Sequence, residues 1–153
     1  MIKRIGLCAL ALVACILSIQ AQTQVIAHRG FWKTEGSAQN SITALEKAAE
    51  AKLYGSEFDV LMTVDGKMVV NHDNTIEGMI IPETSYKQLK KLKIKNGEKL
   101  PTLKNYLKKG KKLDIQLILE AKPLPTKEME DQAIATIVKM VKKMGLEKQV
   151  EYI

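Results

Sequence analysis

Four short apolar runs in this chain each meet a cluster of ionisable side chains, and segments with helical spacing lie between them. Val25-Ile26-Ala27 runs into His28-Arg29-Gly30. Phe58, Val60 and Met62 alternate with Glu57, Asp59 and Leu61, a strand pattern that sets two acids on one face. Met68-Val69-Val70 leads to Asn71-His72-Asp73, and Ile115 to Leu119 ends in Glu120-Ala121-Lys122. Between the first two runs, Asn40 or Ser41 can cap a helix carrying Ile42, Leu45, Ala49 and Leu53 on one face, closed by Gly55. Val64-Asp65-Gly66-Lys67 is a turn signal. Thr84 or Ser85 starts a Lys-rich helix toward Leu92, and Thr102 starts another toward Lys109. After Pro123 and Pro125, the residues Met129, Ala133, Ile137, Val141 and Met144 mark one face of a helix closed by Gly145. Val150 to Ile153 begins a further strand. Strand and helix in alternation predict an α/β fold with a parallel sheet.

In such folds, sites are built at the C-terminal ends of the strands, where these clusters fall. Residues i and i+2 of a strand share a face, so Glu57 projects with Asp59 and Glu120 with Lys122. Three carboxylates from two strands can converge on one hard divalent cation, and an all-oxygen set favours Ca²⁺ or Mg²⁺ over zinc. Arg29 offers a planar donor fork for phosphate oxygens, Lys122 a point charge. His28 and His72 can supply an acid and a base near neutral pH. Plainer readings stand beside these: structural histidines, solvated acids on an edge strand, and an ordinary Glu120–Lys122 ion pair.

Composition narrows the alternatives. The chain has two cysteines, Cys8 and Cys15, and only those two histidines, which excludes a disulfide scaffold, a Cys-rich zinc site and a polyhistidine site. Aromatics at 5% argue against a stacking platform for single-stranded nucleic acid. Residues 85–112 hold eleven lysines and one acid, Glu98, within a chain of net charge +7. That stretch reads as a solvated face or as a surface drawn to anionic lipid, a possible peripheral membrane association; no nucleic-acid-binding motif accompanies it.

Met1 to Ala21 reads as an export signal: Lys3 and Arg4, then the uncharged apolar Ile5 to Ile19, then Gln20-Ala21 for cleavage. The run is shorter than the roughly 18 apolar residues of a membrane span. This places the protein in the periplasm or outside the cell, with acylation at Cys15 as a lipoprotein the alternative. Residues 22–153 form the remaining domain.

His28-Arg29-Gly30, Asn40-Ser41, Glu57-Phe58-Asp59-Val60, Thr63-Val64-Asp65-Gly66, His72-Asp73 and Glu120-Ala121-Lys122 together resemble the glycerophosphodiester phosphodiesterase family in order and spacing. The resemblance implies a TIM barrel that hydrolyses glycerophosphodiesters to glycerol 3-phosphate and an alcohol with Ca²⁺ or Mg²⁺. It implies Glu57, Asp59 and Glu120 as metal ligands, His28 and His72 as the general acid/base pair, and Arg29 and Lys122 as phosphate-binding residues. Where the family often has Pro-Glu-Asn-Thr, this chain has Ala38-Gln39-Asn40-Ser41. A complete (β/α)₈ barrel takes about 250 residues, so the expectation here is a partial barrel of the first four to five strands. Competing expectations are a phospholipase-type phosphodiesterase acting on intact lipid and an inactive partial domain that binds anionic membrane.

Overall fold

A computed structural model describes residues 23–153; the export segment expected over 1–21, with Cys8 and Cys15, lies outside the described residues. The chain begins with a two-residue strand, β1 (Ile26–Ala27), followed by the loop that carries His28 and Arg29. Helix α1 (Ile42–Glu50) starts at Ser41, whose side chain accepts from the Ala44 N–H. That bond satisfies one of the donors a helix start leaves open.

Strand β2 (Gly55–Met62) is buried along its whole length, as the central strand of a parallel sheet must be. Strand β3 (Met68–Val70) folds back antiparallel on its C-terminal end, Val60 opposite Val70, through the turn at Gly66. A small hairpin follows, β4 (Thr75–Ile76) and β5 (Met79–Ile80), then a 3₁₀ turn at Ile81–Glu83 and the short helix α2 (Tyr86–Leu89). Helix α3 (Leu103–Leu113) is capped by Thr102 and ends at Asp114 in the left-handed region. Strand β6 (Gln116–Ala121), helix α4 (Lys127–Met144) and strand β7 (Val150–Tyr152) complete the chain. Helix α4 runs from a Thr126 cap to Gly145 at φ 63°, a left-handed stop that glycine adopts without penalty.

The sheet order is β1-β2-β6-β7, all parallel, with β3 added to β2. Phe58, Val60 and Met62 point into a core shared with Leu45, Tyr106, Leu107 and Val141. Phe58 stacks on Tyr106 with ring centroids 4.3 Å apart. On the other face Leu61 joins Val69, Ile76, Ile81, Leu89 and Leu100 in a second cluster, so residues 76–100 cover the sheet beyond the acids. No described helix is long and apolar enough to cross a membrane.

Three expectations shift. Gly55 does not close α1, which ends at Ala51; it opens β2, where an added Cβ would lie 2.3 Å from Ile118 Cδ1. The Lys-rich helix expected to reach Leu92 is a single turn. The helix expected to stop near Lys109 continues through Gly110, whose missing Cβ lets α3 close against Leu117.

Candidate active site

Parallel registry sets the site. Asp59 on β2 lies directly beside Glu120 on β6, and Glu57 is one pleat earlier on the same face. Glu57, Asp59 and Glu120 each present one carboxylate oxygen to a common point, all within 4.8 Å of one another. Glu57 and Asp59 are buried, Glu120 partly so.

The loop after β1 wraps these acids. Arg29 takes φ 59° and Gly30 φ 78°. A Cβ on Gly30 would meet Ala44 Cβ at 2.6 Å, so only glycine lets this loop lie on α1. The turn aims the Arg29 N–H at Glu57 Oε2, 2.6 Å away, and brings His28 Nε2 to 3.9 Å from the same oxygen. The Arg29 guanidinium donates to Gln39 Oε1 at 2.8 Å and lies 3.8 Å from Asp59 Oδ2. Asn40, also left-handed at φ 61°, donates from Nδ2 to Asp59 Oδ2 at 2.8 Å and accepts the Asp59 N–H at 3.1 Å. On the far side Lys122 Nζ donates to Glu120 Oε1 at 2.8 Å and lies 3.5 Å from Asp59 Oδ1. His72, past the end of β3, has Nδ1 2.8 Å from Asp73 Oδ1.

The expected site residues therefore gather at one sheet edge. Arg29 and His72 share a cleft of about 400 Å³ with Asn40, Asn71, Lys93 and Lys95, while His28 stands beside Glu57, largely exposed. Sequence reasoning placed Asn40 as a cap or motif residue and missed its grip on Asp59; a buried asparagine has no charge to betray it.

The electrostatics are unbalanced. Burial, with Asp59 and Glu120 nearby, pushes the Glu57 carboxyl up to about 7 although the Arg29 N–H pulls it down. The Lys122 hydrogen bond holds Glu120 below the usual carboxylate range, and Glu120 in turn holds Lys122 above the usual lysine range. Glu57 Oε1 and Asp59 Oδ1 are buried without a hydrogen-bond partner. Buried polar atoms ordinarily have one. Two buried carboxylate oxygens that make no hydrogen bond, on acids that cluster with a third, fit a hard divalent cation bound by oxygen.

Residues 28–152 match the sequence profile described as the Glycerophosphoryl diester phosphodiesterase family. A glycerophosphodiester phosphodiesterase of Caldanaerobacter subterraneus subsp. tengcongensis is 37% identical, over 54% of this chain and 38% of its own length. The crystal structure of a glycerophosphodiester phosphodiesterase from Parabacteroides distasonis is 55% identical with a TM-score of 0.82, covering 84% of this chain and 55% of that one. A phosphodiesterase of Oleispira antarctica, solved with the product sn-glycerol-3-phosphate, shares the fold at 23% identity and a TM-score of 0.71, covering 85% and 64%. The chain spans just over half the length of the Parabacteroides structure and 38% of the Caldanaerobacter relative.

Proposed function

The chain belongs to the glycerophosphoryl diester phosphodiesterase family, and from that premise we propose that its cleft hydrolyses glycerophosphodiesters to sn-glycerol 3-phosphate and an alcohol. The observation that carries the reading is the cluster of Glu57, Asp59 and Glu120, in which buried oxygens of Glu57 and Asp59 make no hydrogen bond and Arg29 and Lys122 lie alongside. On this reading the four parallel strands are an arc of a (β/α)₈ barrel, with the site at its C-terminal rim.

Glu57, Asp59 and Glu120 hold Ca²⁺ or Mg²⁺. When bound, the ion supplies positive charge that offsets the charge growing on the phosphoryl oxygens. Arg29 and Lys122 orient the phosphate, the first through its planar fork and the second as a point charge. With Nδ1 donating to Asp73, His72 presents the lone pair of Nε2 to the cleft. It accepts the proton of the attacking oxygen, either a water, which gives glycerol 3-phosphate directly, or the neighbouring glycerol hydroxyl, which gives a cyclic phosphate that a water then opens. The P–O bond to the alcohol breaks as the new one forms, and His28 gives its proton to the leaving alkoxide.

The test is phosphodiester hydrolysis by the full chain with Ca²⁺ or Mg²⁺, compared with His28→Ala and His72→Ala. Each substitution is expected to lower kcat by roughly 10²–10⁴. No turnover with either ion, or near-full activity in both variants, overturns the reading.

A further inference from the structure

The positive charges around the cleft fall into two groups. Arg29 and Lys122 lie against Asp59, and Lys122 also binds Glu120, so both stand beside the acidic cluster. Lys93 and Lys95 line the same cleft as Arg29 and His72, and neither has a carboxylate partner among the described residues. Two carboxylates also line the cleft, Asp73, which lies against His72, and Glu77. The lining therefore carries three cations, Arg29, Lys93 and Lys95, against two carboxylates.

These lysines sit on a fastened strap. Lys93 and Lys99 pair as an antiparallel bridge, and the Ile94 N–H donates to the Glu98 carbonyl at 2.8 Å, so residues 93–99 form a tight loop. Ile94 packs against the second core cluster. Glu98, the one acid in the lysine-rich stretch, turns its carboxylate away from the lysines. It accepts the N–H groups of Ile42 at 3.0 Å and Thr43 at 3.2 Å, in the first turn of α1, and Asn96 Nδ2 at 2.6 Å. A carboxylate on open helix N–H groups makes charge-assisted bonds, stronger than neutral ones. Asn96 also donates to the Gly36 carbonyl at 3.2 Å, tying the strap to the loop that leads into α1. Two ammonium groups without a carboxylate partner are thus held in the lining of the cleft by an anchor to the helix that follows Asn40.

We propose that Lys93 and Lys95 form a subsite for an anionic group on the leaving alcohol. The subsite selects glycerophosphodiesters whose alcohol bears a carboxylate or a second phosphate. This rests on the phosphodiesterase reading and extends it to the substrate class. The reacting phosphate is met by Arg29 and Lys122. A cationic head group would meet repulsion from Lys93 and Lys95, and a neutral one would leave their charge unused.

Two substrate pairs isolate the added charge. Glycerophosphoserine differs from glycerophosphoethanolamine by a carboxylate, and glycerophosphoinositol 4-phosphate differs from glycerophosphoinositol by a phosphate. Binding and kcat/KM are measured for all four on the full chain with Ca²⁺. The more anionic member of at least one pair is expected to be favoured roughly two- to thirtyfold, the range two exposed ion pairs supply. The pair with the larger ratio identifies the group. The ratio shrinks at high salt, falls to near one in a Lys93→Ala/Lys95→Ala variant, and survives in Lys93→Arg/Lys95→Arg. Glu98→Gln keeps the lysines but loosens the strap, and is expected to reduce the ratio part-way. Ratios near one in both pairs, or a preference unchanged in the double alanine variant, overturn the proposal while leaving the phosphodiesterase reading intact. If none of the four binds or turns over, both fall together.

Discussion

Asn40 is the residue on which the orientation of Asp59 depends. It satisfies one oxygen of a buried carboxylate and the backbone N–H of the same residue, from a left-handed backbone that asparagine tolerates better than most residues. Asn40→Ala strips both bonds and adds strain, and is expected to cost roughly 2–4 kcal/mol in denaturant unfolding. Asn40→Gly removes the same bonds without the strain, so it should cost about 1 kcal/mol less. Both should weaken Ca²⁺ binding alike, since Asp59 is freed in each; unchanged affinity in both would show that Asp59 holds its place without Asn40. Glu57 gives a second test at this scale. In the metal-free protein its carboxyl titrates near 7, above its unfolded value, so the folded state binds the proton more tightly. Its contribution to stability is then fully present below about pH 4.3 and lost as pH rises through about 7. Unfolding in chelator should show stability falling over that window, and Glu57→Gln should flatten the slope. An equally steep slope in the variant would assign the effect to other groups.

At the scale of elements, β2 carries both the acids and the closest packing in the sheet. A methyl at Gly55 meets Ile118 Cδ1 at 2.3 Å and the Gln116 carbonyl at 3.0 Å. Gly55→Ala should destabilise by about 1–3 kcal/mol. Ile118→Val, which deletes the offending Cδ1, should cost about 1 kcal/mol alone and much less in the alanine background. Additive costs in that cycle would locate the clash in the backbone instead. The sequence makes β2 legible because acids within an otherwise apolar run are unusual, and α4 legible because its apolar face repeats over five turns between a threonine cap and a glycine stop. The hairpin β4–β5 was not legible: strands of two residues show no periodicity, and Met79 and Ile80 are exposed. The lysine-rich segment misled because its leucines have a plausible helical spacing. Leu89, Leu92, Ile94 and Leu100 reach the same cluster from largely irregular chain. The ionisable residues of the site could be read from charge alone. The anchor from Glu98 to α1 could not, since it joins positions 56 residues apart and looks like an isolated acid among lysines.

Among the described residues the sheet has four parallel strands with β3 antiparallel on β2, and its edges are β1, which pairs with β2, and β7, which pairs with β6. Apolar side chains lie open at both: Ile26 beside β1, and Tyr152 and Ile153 beside β7. Next to β7, Ile134 and Val138 of α4 are 52% and 49% exposed, and with Leu119, Ala121, Tyr152 and Ile153 they line a shallow apolar groove. A continuous apolar patch beside a free strand edge is a surface on which chains associate. The net charge, +7 for the full chain and +5 without Lys3 and Arg4, opposes that by mutual repulsion. Two consequences follow for the described residues in solution. Association should increase with protein concentration and with salt, because salt screens the repulsion but leaves the apolar attraction. An Ile134→Lys/Val138→Lys variant should suppress it, because lysine keeps the helix and places charge in the groove. Sedimentation over a concentration series at low and high salt reads both, with Ca²⁺ affinity measured alongside. The affinity should not change, since α4 contributes no side chain to the carboxylate cluster. A wild-type chain that stays monomeric at high salt would show that the open groove and edges are too small to drive association. A double variant that associates as readily as the wild type would move the contact from α4 to the β1 edge.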